Sequence, residues 1–302
     1  MRRALVTGAT SFPGHALVAR LLAEGIETHA VVRAATRTAP LEALARRTPA
    51  VPLRLHGHDG GAASMQRIVA EARPDVAFHL AGLYLRDHGV QDIEPLVESN
   101  IALGAHLLDA MRQSGCANFV SIGSYAQYYA SATPRALSLY AATKEAFASI
   151  LAYYADIGMA ATTLILYDTY GPGDGRKKLV PALMAALESG APLPLPSEDI
   201  TLDMTYRDDL AAALIAAGRG LLAEPAAWRD RRFAATGFRH TIREVVTAFE
   251  AAVGREVSKH WGGWKIPARH VAVPWVGPRP PGWTPRVPLA EGLRRTLAGD
   301  TG

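Results

Sequence analysis

The stretch TGATSFPGH at residues 7–15 decides the fold. The apolar run ALV precedes it and the amphipathic run ALVARLLAEG follows it, so it joins a strand to a helix. Gly8 permits a tight turn, Gly14 lets the helix pack closely, and Ser11 stands where such loops approach a phosphate. Two glycines alone fit a simple turn equally well, but the order strand, loop, helix at the N-terminus favours a dinucleotide-binding loop. The residues predicted to contact the cofactor here are Gly8, Thr10, Ser11, Phe12 and Gly14.

Composition narrows the class of protein. The chain has 302 residues, of which 49% are hydrophobic and 20% charged, as in ordinary globular proteins. The net charge is only +4 and the arginines are scattered, which argues against a nucleic-acid partner. A single cysteine, Cys116, excludes an internal disulfide, and no window approaches the ~20 apolar residues of a membrane span. We expect a cytoplasmic protein without a membrane partner and without a metal site.

Short apolar runs alternate with amphipathic helical stretches through the first half of the chain. The strands are predicted at residues 4–8, 27–33, 51–59, 75–82, 118–124 and 160–172. This alternation predicts an α/β fold, a Rossmann-type doubly wound parallel sheet with a smaller, irregular C-terminal substrate lobe. We expect residues 1–170, with a returning segment at about 200–220, to form the dinucleotide-binding domain. Residues 171–302 are expected to form mainly the substrate-binding lobe.

The ends of the second and third strands bear on the choice of cofactor. An acid at the end of the second strand would bind a ribose diol, whereas a cation would accommodate a 2′-phosphate. Here Arg33 takes that place and Arg37 follows it, with no acid nearby. We therefore predict NADPH, with NAD as the second choice, although both could be ordinary surface arginines. Asp59, at the end of the third strand, is predicted to accept a hydrogen bond from the adenine amino group of the cofactor.

A candidate catalytic set follows the fifth strand. Tyr140 and Lys144 are four residues apart, which places them on one face of a helix. A neighbouring ammonium favours the tyrosinate and is expected to lower the pKa of the phenol, which can then act as a general acid or base. Ser124 ends a parallel strand, where ligands bind in such sheets. The pair alone is common, but its combination with this serine and the N-terminal loop is specific.

These motifs together give the sequence its family resemblance. The segments TGATSFPG, HLAG, SNIALGAHLLDA, SIGS, YAATK, YDTYGPGD and GWTPRVPLAEGLRRT resemble the extended, nucleotide-sugar-modifying short-chain dehydrogenases/reductases. The stretches LYAATKEAFASILAYYAD and LYDTYGPGDGRKKLVPALM look like the reductases that make CDP-linked dideoxyhexoses such as abequose and paratose.

The resemblance implies site residues beyond the loop. Ser124, Tyr140 and Lys144 would be catalytic, Lys144 would also bind the nicotinamide ribose, and Asn100 would brace the sheet behind them. Further cofactor contacts would come from Leu80, Ala81, Gly82, Tyr140 and Tyr167. The substrate would be bound by Tyr84, Ser124, Tyr125, Asp168, Thr169, Lys177, Lys178 and Arg207.

The sequence departs from the family pattern at two places. Ser11 stands where the family's loop usually has glycine, which puts cofactor affinity in question. Leu202 stands where many relatives have an arginine that grips the diphosphate. Phosphate contacts would then come from Lys177, Lys178 or Arg207, or the substrate carries no diphosphate.

The leading functional hypothesis is an NADPH-dependent ketoreductase acting on a nucleotide-activated 4-keto-deoxysugar, with hydride going to C4 and a proton coming from Tyr140. The alternatives are an NAD-dependent nucleotide-sugar epimerase and a ketoreductase of a non-sugar secondary metabolite. Tyr125 and Ala126 count against a dehydratase, whose relatives have Asp-Glu there. The predicted helix Leu139–Asp156 is apolar on several sides, and in relatives it forms a dimer interface with the helix that contains ALGAHLLDAM. We expect the protein to form a homodimer and to bind a small-molecule substrate, a nucleotide sugar.

Overall fold

The computed structural model describes residues 1–299, so the last three residues of the predicted lobe lie outside the described part. Within that part the strands are β1 (Arg3–Thr7), β2 (Glu27–Arg33), β3 (Leu53–His58), β4 (Val76–His79), β5 (Asn118–Ser124), β6 (Ala160–Leu166), β7 (Asp168–Tyr170), β8 (Leu193–Leu195), β9 (Thr201–Tyr206), β10 (Arg231–Ala234), β11 (Phe238–Thr241) and β12 (Lys259–Trp261). The helices are α1 (Phe12–Ala23), α2 (Ala39–Arg47), α3 (Ala62–Ala72), α4 (Ile93–Val97), α5 (Leu103–Gln113), α6 (Leu139–Asp156), α7 (Leu179–Ser189), α8 (Arg207–Ala223), α9 (Pro225–Trp228), α10 (Ile242–Val253) and α11 (Leu289–Ala298).

The central sheet is parallel throughout. Among the described residues it has seven strands in the order β10-β6-β5-β4-β1-β2-β3. The direction of winding reverses between β1 and β4, and ligands of doubly wound sheets bind outside the carboxyl ends of the strands at such a point. The predicted Rossmann-type α/β fold is confirmed.

Alternation along β1 separates the two faces of the sheet. Ala4 and Val6 are fully buried in a cluster with residues of α1 and α8, whereas Leu5 is buried on the opposite face with residues of α3, α5 and α6. Since successive side chains of a strand point to opposite faces, both faces of β1 are covered by helices. None of the helices within residues 1–299 is long and apolar enough to span a bilayer.

Two details of the predicted sheet were wrong. The strand predicted at 160–172 is divided, because the chain turns at Tyr167, where the Thr169 N–H donates to the Tyr167 carbonyl over 3.0 Å. The first part, β6, stays in the central sheet, while β7 pairs with β9 in a separate sheet of order β11-β9-β7. The edge strand β10 was not predicted, since its four residues RRFA have no clear alternation.

The segment after β7 has its own apolar cluster. Side chains from α7, β9, α10 and α11 pack together there with Tyr170 of β7. The fully buried members include Tyr170, Leu183, Tyr206, Phe249 and Leu293. Other parts of the same half of the chain belong to the central sheet: α8 packs against it and β10 extends it. The division at residue 170 and the substrate role of the second part stay predictions.

Buried histidines lie on the central strands. His79, at the end of β4, is 1% exposed, and its Nδ1 lies 2.8 Å from the Thr7 hydroxyl. Burial, with a smaller effect of the Lys144 charge, lowers the pKa of His79 to about 3. His29 and His56 stack at 5.0 Å, with Nδ1 of the first 2.8 Å from Nε2 of the second, and burial also lowers their pKa values. All three are therefore neutral in the folded protein at neutral pH.

Because the folded-state pKa values are lowered, the unfolded chain binds protons near pH 6.5 that the folded chain does not. We expect the free energy of unfolding to fall as the pH decreases from 7 towards 5.5, with up to about 1.4 kcal/mol per pH unit for each such histidine. Urea unfolding at several pH values measures this slope. His79→Asn keeps a polar atom beside Thr7 and is expected to reduce the slope, and the same change at the exposed His88 is the control for loss of a histidine. Equal slopes for the two variants would contradict the assignment to His79.

Candidate active site

The loop between β1 and α1 is closed by direct contact between its glycines and the end of β4. Gly8 has φ +69°, and a Cβ on it would lie 2.6 Å from the Ala81 nitrogen. A Cβ on Gly14 would lie 2.0 Å from the Gly8 carbonyl oxygen. Neither position accepts a side chain without moving the backbone, so both glycines are required by the packing. This brings the N-terminus of α1 to the carboxyl edge of the sheet.

Ser11 has a structural task in this loop. It is the N-cap of α1, and its hydroxyl accepts from the Gly14 N–H over 3.1 Å and donates to the Gly8 carbonyl over 2.7 Å. Its φ of −70° is ordinary for any residue. The serine that replaces the usual glycine therefore holds the turn in shape. The chain forms a glycine-lined turn at a helix N-terminus, which fits the pyrophosphate of a dinucleotide.

The predicted adenosine contacts lie at the neighbouring strand ends. Arg33 is the last residue of β2 and is exposed, as is Arg37 after it. Asp59 directly follows β3, and its Oδ1 accepts from the Gly61 N–H over 2.8 Å. That hydrogen bond lowers the pKa of Asp59, which keeps the carboxylate charged. These positions stay predictions for the 2′-phosphate and the adenine amino group.

The loop after β4 lies between the glycine turn and the catalytic helix. The Ala81 N–H donates to the Thr7 hydroxyl over 3.3 Å, Leu80 is buried, and Gly82 is exposed. A Cβ on Gly82 would lie 2.9 Å from Asn100 Oδ1 and 3.0 Å from Lys144 Nζ. The Lys144 ammonium is thus directed at this loop, at the place where the resemblance puts the nicotinamide ribose.

Asn100 connects this loop to α6. It lies in a π-helical segment, Glu98–Ala102, between α4 and α5, and is fully buried. Its Oδ1 accepts from the Leu83 N–H over 2.8 Å, and its Nδ2 donates to the Thr143 hydroxyl over 2.9 Å. The wide helical turn places a polar side chain inward, a use of π-helical turns that recurs at functional sites.

Ser124 and Tyr140 meet as predicted. Ser124 ends β5, its hydroxyl accepts from the Ala126 N–H over 3.2 Å, and it hydrogen-bonds to the Tyr140 phenol. Tyr140 lies in the first turn of α6, whose N-cap is Ser138. The edge of its ring contacts Tyr84, with ring centroids 5.0 Å apart.

The pKa of the phenol differs from the prediction. Burial, followed by the neighbouring Tyr84, raises the pKa of Tyr140 to about 12, against a smaller lowering by the Ser124 hydrogen bond. Lys144 is 4% exposed, and burial lowers its own pKa to about 8. Desolvation of the phenol, and not the charge of Lys144, dominates the pKa of Tyr140, while the ammonium lies against Gly82. At neutral pH Tyr140 keeps its proton and can donate it.

Four predicted substrate residues surround the same space. Tyr84 packs against Tyr140, and Lys178 Nζ lies 5.6 Å from the centre of the Tyr84 ring. Lys178 pairs with Asp168 over 3.2 Å, and the charge of Asp168 raises the pKa of Lys178. The Asp168 carboxylate also raises the pKa of the Tyr125 phenol, through its charge and a hydrogen bond. Tyr84, Tyr125, Asp168 and Lys178 therefore form one polar cluster around Tyr140.

The other predicted residues have different surroundings. Thr169 is buried and accepts from Arg176, Lys177 is exposed, and Arg207 is 5% exposed and donates to the Pro172 carbonyl over 2.8 Å. Tyr167 is 5% exposed, and its hydroxyl donates to the Trp275 carbonyl over 2.9 Å. Their contacts with substrate or cofactor stay predictions. Residues 1–299 contain no cluster of three or more His, Cys, Asp or Glu side chains suited to a metal ion.

Sequence reasoning missed Arg176. Its guanidinium lies over the Phe12 ring, 4.4 Å from the centroid, and donates to both carboxylate oxygens of Asp174 at 2.7 and 2.9 Å. It thus connects the glycine turn to the loop between β7 and α7. The segment that contains it, GPGDGRKK, belongs to the family resemblance, which implies no role for this arginine.

The chain is similar in sequence to curated proteins that act on nucleotide sugars by name. CDP-abequose synthase of Yersinia pseudotuberculosis is 28% identical over 148 residues, which is 49% of this chain and 52% of that protein. The chain thus spans about half the length of this curated relative. UDP-glucose 4-epimerase of Mycolicibacterium smegmatis is 28% identical over 98% of this chain and 97% of its own length.

Solved structures share the fold over nearly the whole chain. UDP-glucose 4-epimerase of Thermus thermophilus, in complex with NAD, is 25% identical with a TM-score of 0.80, covering 98% of both chains. UDP-glucose-4-epimerase of Stenotrophomonas maltophila, with bound NAD and formylated UDP-arabinopyranose, is 20% identical. It has a TM-score of 0.88 and covers 99% of this chain and 98% of its own.

The model of the NAD dependent epimerase/dehydratase family matches residues 4–224. This range contains the glycine turn, Ser124, Tyr140 and Lys144. The predicted resemblance to extended short-chain dehydrogenases/reductases is confirmed. The chain belongs to the NAD dependent epimerase/dehydratase family and is an enzyme that depends on a nicotinamide dinucleotide.

Proposed function

We propose that this enzyme is an NADPH-dependent ketoreductase that acts on a nucleotide-activated 4-keto-deoxysugar. The observation that carries the proposal is the half-buried Tyr140 phenol, hydrogen-bonded to Ser124 and with its pKa raised to about 12. A phenol that keeps its proton at neutral pH is suited to protonate the oxygen of a ketone as that oxygen gains electrons.

The residues divide the work of such a reduction. NADPH, when bound, supplies the hydride that is transferred to the carbonyl carbon. Ser124 orients the carbonyl oxygen next to the phenol, and Tyr140 gives its proton to that oxygen. Lys144, beside Gly82, holds the cofactor's ribose and provides positive charge near the tyrosinate that is left.

A pocket next to Tyr84 supports an anionic, sugar-sized substrate. It has a volume of about 350 Å³, and its wall includes Tyr84, Ser138, Arg86 and Arg269. Arg86 is exposed and Arg269 lies 4.5 Å from the centre of the Tyr129 ring. Asp87 in the same wall lies 4.0 Å from Arg86, so the wall keeps one net positive charge from Arg269, whereas Leu202 in β9 stands where many relatives have an arginine. A nucleotide sugar fits this distribution, and the half-length likeness to CDP-abequose synthase favours a 4-keto-deoxysugar.

The second candidate is an NAD-dependent nucleotide-sugar epimerase. It is favoured by the full-length likeness to UDP-glucose 4-epimerase of Mycolicibacterium smegmatis and by the NAD bound in solved relatives. The two candidates require different behaviour of the cofactor. An epimerase returns its hydride within each turnover and retains NAD, whereas a ketoreductase consumes NADPH in proportion to product.

We also propose a homodimer built on α4, α5 and α6. Ile93 and Val97 of α4 are 40% and 41% exposed, and Tyr153 of α6 is 59% exposed, which is unusual for apolar side chains on neighbouring helices. Burying them against a second copy would remove this apolar surface from water. A cytoplasmic location stays a prediction.

The test of the function is purified protein with NADPH and a CDP- or UDP-linked 4-keto-6-deoxy sugar. We expect the absorbance of the reduced cofactor to decrease as the sugar is reduced, and Tyr140→Phe to lower kcat by about 100- to 10,000-fold with little change in KM. Tyr154→Phe is a matched control, because its phenol lies on the same helix but contacts Asp109. Retained NAD and product formation without NADPH consumption would instead identify the epimerase.

Arg33→Ala tests the choice of cofactor. Loss of a charge-assisted contact to the 2′-phosphate is expected to raise the Kd of NADPH about 10- to 100-fold while leaving the Kd of NADH unchanged. Fluorescence titration with each reduced cofactor measures both values. Arg112→Ala, at the C-terminal end of α5 before β5 begins, should change neither. An equal rise in the Kd values of NADPH and NADH would contradict a role of Arg33 in 2′-phosphate binding.

Tyr153→Glu tests the dimer. The added charge is expected to convert a dimeric wild type into a monomer at micromolar concentration, as measured by sedimentation velocity. Leu222→Glu is the control, since Leu222 is a similarly apolar residue, 39% exposed, at the end of α8. A monomeric wild type would refute the proposal directly.

A further inference from the structure

We propose that Gln127, Glu145 and Arg232 are positioning residues that fix Ser124 next to Tyr140. Their side chains form one hydrogen-bonded network from the edge strand β10, across the catalytic helix α6, to the backbone of Ser124. The inference rests on the proposed function only in that Ser124 orients the substrate oxygen. None of the three positioning residues belongs to the predicted site.

Gln127 forms the inner end of the network. It closes the helical turn Tyr125–Gln127 that follows β5 and is 1% exposed. Its Oε1 accepts from the Ser124 N–H over 2.8 Å, and its Nε2 donates to Glu145 Oε2 over 2.7 Å. Gly123 leaves room for it, because a Cβ there would lie 2.7 Å from Gln127 Oε1. Both ends of this buried amide are therefore satisfied by specific partners.

Glu145 and Arg232 form the outer end. Arg232 donates from Nη1 to Oε2 over 2.8 Å and from Nη2 to Oε1 over 2.7 Å, which is a bidentate ion pair. Both side chains are less than a third exposed. Burial would raise the pKa of Glu145, but the hydrogen bonds from Arg232 and Gln127 outweigh it and lower the pKa. The carboxylate stays charged and keeps both partners in place.

The position of Glu145 on α6 connects the network to the catalytic residues. Glu145 directly follows Lys144 on α6. The bonds that hold the Glu145 carboxylate therefore also hold α6 in place next to the catalytic lysine. Through Gln127, the same carboxylate holds the backbone at which the Ser124 hydroxyl is anchored. The network thus fixes the spacing between the end of β5 and the first turns of α6. An error of about 1 Å in such spacing can cost about 100-fold in rate.

Gln127→Leu removes both inner hydrogen bonds while keeping an apolar side chain of similar size. We expect kcat with NADPH and a 4-keto-6-deoxy nucleotide sugar to fall about 10- to 100-fold, with the Kd of NADPH within about threefold of wild type. Amide hydrogen exchange of Ser124, measured by NMR, should become faster because its N–H loses its acceptor.

Glu250→Ala is the matched control. Glu250 forms a partly buried ion pair with Lys259 in the second half of the chain, with side chains 18% and 21% exposed. Its loss is expected to lower the melting temperature without changing kcat per folded molecule or Ser124 exchange. A network that merely stabilises the fold would give Gln127→Leu the same pattern, which would overturn the proposal.

Exchanging the amide and the carboxylate between positions 127 and 145 tests whether the network can be restored. Gln127→Glu alone places two carboxylates together and should lower kcat and speed Ser124 exchange. Adding Glu145→Gln removes the repulsion and restores an amide donor between positions 127 and 145. The carboxylate at position 127 can then accept from the Ser124 N–H without strain, so the double variant should recover kcat at least about fivefold over Gln127→Glu. No recovery in either readout would count against the network.

The exchange measurement separates this inference from the proposed function. If wild type reduces no 4-keto sugar, the proposed substrate fails, yet faster Ser124 exchange in Gln127→Leu with recovery in the double variant would still support the network. If wild type is active and Gln127→Leu matches it in both kcat and exchange, the network fails while the function stands.

Discussion

The close approach of three backbone segments at Gly8 is the constraint on which the site depends. Gly8 has no room for a side chain against Ala81, and Gly14 has none against the Gly8 carbonyl. These contacts join the start of α1 to the end of β4, at the point where the winding of the sheet reverses. The loop that follows β4 then reaches Lys144 through Gly82. One contact between chain segments far apart in sequence thus places the cofactor turn beside the catalytic helix.

Much of the fold could be predicted from sequence because its signals are local. The strands β1 to β6 are apolar runs bounded by turns, and the helices between them show clear periodicity. The exceptions depend on distant contacts. β10 is strand because Arg231 to Ala234 pair with β6, and the break at Tyr167 is fixed by Trp275 and by the pairing of Asp168 with Met204. No window of the sequence contains both partners of such contacts.

In the candidate site, too, some features have local sequence signals and others depend on contacts between distant segments. Ser124 and Tyr140 could be predicted because a strand end and the next helix must meet at the carboxyl edge of the sheet. The pKa of Tyr140 could not, because the helical spacing to Lys144 indicates proximity but not how far the phenol is desolvated. Gln127 and Arg232 escaped notice for a related reason: a glutamine and a strand arginine have no motif, and their roles arise only where β5, α6 and β10 come together.

The raised pKa of Tyr140 bears on whether this fold supports a reduction or an epimerisation. A reduction begins with a protonated phenol, whereas an epimerisation that starts from an alcohol needs a group that first accepts a proton. Burial, which raises the pKa of Tyr140 to about 12, favours the donor form. Positive charge brought close to the phenol would favour the acceptor form. Desolvation and the neighbouring Tyr84 therefore leave Tyr140 as a proton donor at neutral pH. The polar cluster of Asp168 and Lys178 is internally neutralised and does not alter this balance.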